Sequence, residues 1–203
     1  MASEGEQGDR GRIKGNAIRE FIAWYLSLGH REQLVAAIRR LELEEQALFD
    51  FDHRALGILP STWYSGLTVH RVLDGMLEGM SRREVEALAT AGGQVTADTM
   101  MTGLYKAIFT AVMTPSRFAK LANMAWRTSY DNGWVDNEVL GPGRHRAVVR
   151  EWGGHHHFLC KLNVAVKARI YVAMGCQEVL VEDRYCVSDG RSECGSLISW
   201  REG

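Results

Sequence analysis

The stretch QEVLVEDRYCVSDGRSECGSLISW, Gln177–Trp200, decides how this chain is read. QEVLVEDRYCV and CGSLISW have the β-branched and apolar content of two strands. They are joined through CVSDGRSEC, in which Cys186 and Cys194 flank Gly190. A glycine at that point supplies the permissive backbone that a tight connection needs. A hairpin here brings the two sulfurs close. Three explanations fit such a pair: a disulfide loop, unrelated core thiols, or half of a metal site.

Working outward, HFLCKLNVAVKARIYVAMG precedes the hairpin with helical spacing in Phe158, Leu162, Ala165, Val166 and Ala173, and Gly175 ends it. Cys160 lies near its start, just after GGHHH. If this helix packs across the hairpin, Cys160 reaches the same point as Cys186 and Cys194. A tetrahedral zinc needs a fourth donor. Candidates are the carboxylates of VEDRYC and the imidazoles of His155, His156 and His157. Strand alternation puts Glu182 on the face of Cys186 and Asp183 on the opposite face, unless a bulge intervenes.

Further upstream, GWVDNEVLGPG and RHRAVVREW read as two strands turning at Gly141-Pro142-Gly143. Everything before Trp126 reads as helical. Ile18, Phe21, Ile22, Tyr25 and Leu28 share one face. REQLVAAIRRL forms a short second helix. Trp63, Leu67, His70, Leu73, Leu77 and Met80 form a stripe. Ser81 and Glu84 make a capping box. VTADTMMTGLYKAIFTAVM is read as a long, central, buried helix. Thr114 then caps a helix that starts with Pro115. The layout is α+β: an N-terminal helical block packed on a C-terminal antiparallel sheet with one inserted helix.

At 203 residues and 46% hydrophobic content, the chain suits a single domain, expected over 12–203 behind a disordered polar tail, 1–11. A net charge of -1 gives no bulk drive toward nucleic acid or an anionic membrane. The polar start lacks a secretion signal, and no long apolar run suggests a membrane span. A cytoplasmic location is expected, where the four cysteines favour metal binding or core thiols over disulfides. G-x-S-x-G, G-x-x-x-x-G-K-[ST] and H-E-x-x-H are all absent, so no enzyme is expected.

The C-terminal segment resembles the 4-vinyl-reductase type of small-molecule-binding domain. The resemblance is carried by Glu182 or Asp183, then Cys186, Gly190, Cys194 and LISW. Cys160 and Met174-Gly175 match on the preceding helix, as does WRTSYD, Trp126–Asp131. The N-terminal helices are similar in number and order, and also resemble a group of myxobacterial paralogues. The wider fold group includes aromatic sensors of transcription activators, haem nitric-oxide sensors and TRAPP tethering subunits.

This resemblance implies a structural zinc on Cys160, Cys186, Cys194 and one of Glu182 or Asp183. It also implies a non-enzymatic sensor for a small hydrophobic or aromatic ligand. Trp126 is carried over as a ligand contact, while His70, Tyr105 and Trp134 are candidate pocket residues by residue type. A homodimer or a signalling partner protein would read the bound state. A scaffold domain pairing through its helices is the alternative, and a tetrapyrrole-acting enzyme a remote one. The haem branch uses Y-x-S-x-R, which Tyr185, Ser188 and Arg191 do not reproduce in spacing. Haem is therefore not expected.

Overall fold

A short strand, β1 (Arg12–Lys14), pairs antiparallel with β2 (Trp63–Ser65). The Lys14 N–H donates to the Ser129 carbonyl at 2.8 Å, so this first segment spans distant parts of the chain. The computed structural model describes residues 10–102, 107 and 110–201. Of the expected tail, Gly11 is tied down, its carbonyl accepting from the Gly66 N–H at 2.8 Å, and the exposed Arg10 reaches His70.

The helical block comprises α1 (Arg19–Ser27), α2 (Arg31–Ile38), α3 (Leu43–Gln46), α4 (Gly66–Leu77) and α5 (Arg82–Met100). Its core holds Phe21, Tyr25, Leu34, Leu73, Met76, Phe158 and Leu162, all fully buried. On α1 the expected face holds for Ile18, Phe21, Ile22 and Tyr25. Leu28 is 49% exposed, because it sits at the helix stop rather than on the stripe. The Trp63–Met80 stripe is only partly observed. Trp63 belongs to β2, and α4 begins at Gly66, so the buried face is Val69, His70, Val72, Leu73 and Met76.

The Ser81–Glu84 capping box forms in both directions and starts α5. This helix, not one beginning at Val95, is central. Its buried positions are small: Ala89, Gly92, Gly93, Thr96 and Ala97. A side chain at Gly93 would meet the Leu162 carbonyl at 2.6 Å, and one at Gly92 would meet the Phe21 ring at 2.5 Å. Bare backbone therefore lets α5 approach its neighbours closely. The later part of the expected long helix, including Tyr105, lies mostly outside the described residues.

Next comes α6 (Pro115–Arg127), capped by the Thr114 hydroxyl with proline in the first turn. Four strands follow: β3 (Trp134–Gly141), β4 (Arg144–Arg150), β5 (Gln177–Tyr185) and β6 (Cys194–Arg201). They form one antiparallel sheet in the order β3-β4-β6-β5. Helix α7 (His157–Ala173) connects β4 to β5. The α+β class and its order are as the sequence indicates. Helix α7 is buried on two sides. Phe158, Leu159 and Leu162 enter the helical core, while Cys160, Asn163, Val164 and Lys167 line a cavity shared with β5 and β6. Among the described residues, no helix is long and apolar enough to cross a membrane.

Candidate functional site

The predicted hairpin is present, turning through Val187–Asp189 into Gly190 at φ 80°. Cys186 and Cys194 sit at its base with sulfurs 3.0 Å apart, and Cys160 reaches Cys186 at 3.5 Å. His155, just before α7, places Nε2 3.2 Å from the Cys186 sulfur. The four donor atoms lie within 4.8 Å of one another. No disulfide forms among them. Three sulfurs and an imidazole are a donor set that could hold a soft d-block cation.

The cluster also redistributes protons. Contacts from Cys160 and Cys194 hold the Cys186 thiol far below its ordinary pKa, while contacts from Cys186 and Cys194, and then burial, push Cys160 up. Burial alone would lower His155; the hydrogen bonds to Cys186 and Cys194 outweigh it and raise it to about 9.

Neither predicted carboxylate joins the cluster. Glu182 is half-buried and pairs with Arg184. Asp183, itself exposed, sits opposite Ser196 at the edge of the cavity, and the register shift between Asp183 and Tyr185 alters its side relative to Cys186. There it is held by Lys161 Nζ at 2.5 Å. The other two histidines of the HHH run have separate roles. His156 caps α7, accepting from Phe158 N–H at 3.1 Å, and His157 contacts Ser188 at 3.1 Å.

Inward from the thiols lies a cavity of ≈ 30 Å³ between α6, α7 and the sheet. Trp126, Trp152, Asn163, Lys167, Asp183 and Ser196 are in its wall. By volume it takes roughly two or three water-sized bodies. An aromatic ring has no room there. Trp126 lies against Tyr130 in a tilted pair at 4.2 Å and meets Trp152 edge-on at 5.0 Å, its indole N–H donating to the Asn132 carbonyl. Asn163 pairs with the Tyr130 hydroxyl at 2.9 Å. The Lys167 ammonium donates to Ser196 Oγ at 3.1 Å. Burial lowers its pKa, opposed by Cys160, Asp183 and Cys194.

The remaining pocket candidates lie elsewhere. His70 is 3% exposed; its Nε2 is 3.0 Å from the Gly154 carbonyl and its Nδ1 contacts Arg10. Burial lowers its pKa to about 4. Trp134 is half-buried at the start of β3, opposite Arg150. Tyr105 is outside the described residues. A wider groove of ≈ 760 Å³ opens beside Pro142 and Trp200, but its buried histidine, His145, already shares a 2.8 Å hydrogen bond with Tyr171.

Sequence reasoning missed Lys167, Asn163 and Trp152. The signal available was the i, i+3, i+4, i+7 series Cys160, Asn163, Val164, Lys167, a second stripe on a helix whose first stripe was already apolar.

No family model matches this sequence, and no curated protein does. Solved structures do match. An Fe(II) unliganded H-NOX protein from K. algicida aligns with TM-score 0.65 at 13% identity, over 94% of this chain and 98% of that one. In fold, this chain is similar to H-NOX proteins. One from S. oneidensis in the Fe(II)NO ligation state aligns with TM-score 0.62 at 9% identity, over 94% and 100%. Another, from work on heme distortion in the H-NOX family, aligns with TM-score 0.58 at 13% identity, over 94% and 96%.

These neighbours correct the cofactor expectation of structural zinc with haem set aside. The solved chains of this fold are described by Fe(II), NO and heme. The fold is thus that of H-NOX proteins, and the 4-vinyl-reductase resemblance finds no match of its own.

Haem iron takes an axial His, Cys, Met or Tyr in a pocket sized for the macrocycle. Around the ≈ 30 Å³ cavity the described residues offer no histidine, and Cys160 and Cys194 are turned into the thiol cluster. No histidine occurs between His70 and His145. The ≈ 30 Å³ cavity between α6, α7 and the sheet is therefore not a haem pocket.

Proposed function

We propose that this chain is a non-enzymatic small-molecule-sensing domain, with its ligand held where α6 and α7 face the sheet. One observation carries the reading. The fold resembles one in which a solved neighbour carries an Fe(II)NO ligation state. In this chain the helix–sheet layer contains a cavity lined by a lysine, an amide and two indoles. Such mixed lining, apolar walls with a few polar groups, suits ligand binding.

The means of response is also built into the layer. Helix α7 is in contact with the helical core on one face and with the cavity on the other. The thiol cluster ties its first turn to the β5–β6 hairpin. A ligand that alters how α7 sits on the sheet alters that hairpin as well, and a second copy or a signalling protein would read the change.

Amide hydrogen exchange tests the reading. A panel of small ligands, from diatomic gases through short carboxylates to phenol, is added to the wild type and to Val164→Phe, which fills the cavity. Slower exchange in α7 and the β5–β6 hairpin for at least one ligand, lost in the filled variant, is the expected result. A panel with no effect on either protein would sink the proposal.

A further inference from the structure

Buried lysines are rarely left without an opposing charge, because an unpaired buried ammonium forfeits its hydration. Lys167, partly buried at the cavity wall, meets part of that cost, and among the described residues it forms no ion pair. Its one described hydrogen bond goes to a neutral hydroxyl, Ser196 Oγ, at 3.1 Å. Among the described residues, the only carboxylate in the cavity wall, Asp183, is already neutralised by Lys161 at 2.5 Å. The cavity wall therefore presents a cation whose nearest carboxylate is already paired with another lysine.

The remaining lining defines the shape of what would complete it. Trp126 and Trp152 supply flat apolar walls, and Ser196 and Asn163 supply polar edges. The volume of ≈ 30 Å³ admits roughly three heavy atoms. We propose that this cavity binds a small planar monoanion with two terminal oxygens, the chemistry shared by formate, acetate and nitrite. One oxygen would accept from Lys167, and Ser196, which accepts from that lysine, would turn its own O–H toward the other. This inference rests on the sensing role proposed above and specifies its ligand class.

Isothermal titration calorimetry at matched ionic strength tests it, with sodium formate, acetate and nitrite as probes. Sodium chloride, neutral acetamide and benzoate are the controls. The expected result is saturable binding of the three planar anions but of none of the controls, with Kd raised roughly tenfold to a hundredfold in Lys167→Met, the loss of one charge-assisted hydrogen bond. Ser196→Ala, which retains the lysine, is expected to weaken binding by about tenfold or less. Formate against nitrite distinguishes a carboxylate from a nitrogen oxyanion as the tighter ligand.

Acetamide binding as well as acetate, or Lys167→Met binding acetate undiminished, would overturn the anion claim and leave the cavity as a ligand site. If no probe binds, and the broader panel also leaves exchange in α7 unchanged, both claims fall together. Circular dichroism of each variant shows whether it is folded. Should Lys167→Met not fold, Ser196→Ala and the acetate–acetamide pair still decide the outcome.

Discussion

The two faces of α7 are built on opposite principles. Toward α1 and α5 it presents Phe158, Leu159 and Leu162, all fully buried against other apolar groups. Toward the sheet it presents Cys160, Asn163 and Lys167, around a cavity. The first arrangement stabilises the fold by removing apolar surface from water and filling space. The second keeps polar groups where an apolar filling would be more stable, which is how binding sites differ from cores. One helix carries both, so the core holds rigid the element on which the site is mounted.

That contrast is open to attack from four directions. The largest effect is expected at Phe158, whose ring lies 4.8 Å from Phe21. Phe158→Ala removes a fully buried ring and should lower unfolding free energy by about 3–5 kcal/mol in urea titration. A loss under about 1 kcal/mol would mean that the apolar face does not anchor α7.

Acid should weaken the helical block through His70. Its folded pKa is lowered to about 4 from the ordinary 6.5 by burial. Above pH 6.5 both folded and unfolded chains carry it neutral. Between 6.5 and 4 the unfolded chain takes up a proton that the folded chain refuses, so stability falls with pH across that window. After allowance for solvent screening, the loss should be on the order of 2 kcal/mol. Denaturant midpoints of His70→Gln across this range should fall less steeply than those of the wild type.

A glycine-to-alanine change inside a helix ordinarily gains about 1 kcal/mol. At Gly93 the sign should reverse, because the new methyl would lie 2.6 Å from the Leu162 carbonyl. Gly93→Ala is expected to destabilise by about 1–2 kcal/mol, through overpacking between α5 and α7. A raised melting temperature would show that this packing has slack.

The smallest effect belongs to the polar face and has the opposite sign. Lys167→Met, measured without added ligand, should stabilise the protein by about 1 kcal/mol or less, since it exchanges a partly buried ammonium with no ion pair for an apolar chain of similar length. Destabilisation would indicate that Lys167 is a structural member of the layer. The contrast between the two faces would then fail.

Much of this architecture is legible in the sequence. The Ser81–Glu84 box, the Thr114–Pro115 start, the turn at Gly190 and the four C-terminal strands rest on short-range rules of capping, turn chemistry and alternation. Apolar periodicity misplaced the central helix, because α5 packs through glycine and alanine rather than large side chains. Trp63 misled for a related reason: a strand ends at Ser65, and a helical stripe cannot be continued back through it.

The convergence of Cys160, Cys186 and Cys194 was also within reach, since one helix turn and one hairpin bring them together. Which donor joins them was not. Asp183 sits at the edge of the cavity beside a shift in strand register, and it is held there by a lysine 22 positions away in sequence. His155 reaches Cys186 only because α7 lies across the hairpin.

By itself, then, the sequence determined the elements and their order, because those depend on neighbours a few residues apart. Only the tertiary structure decided that Lys167 faces a cavity rather than water, and that its nearest carboxylate is already taken. A lysine on a helix looks the same in sequence on either face. Its environment is set by a sheet whose strands lie before and after it in the chain, and by the charge of groups the chain brings to it only on folding.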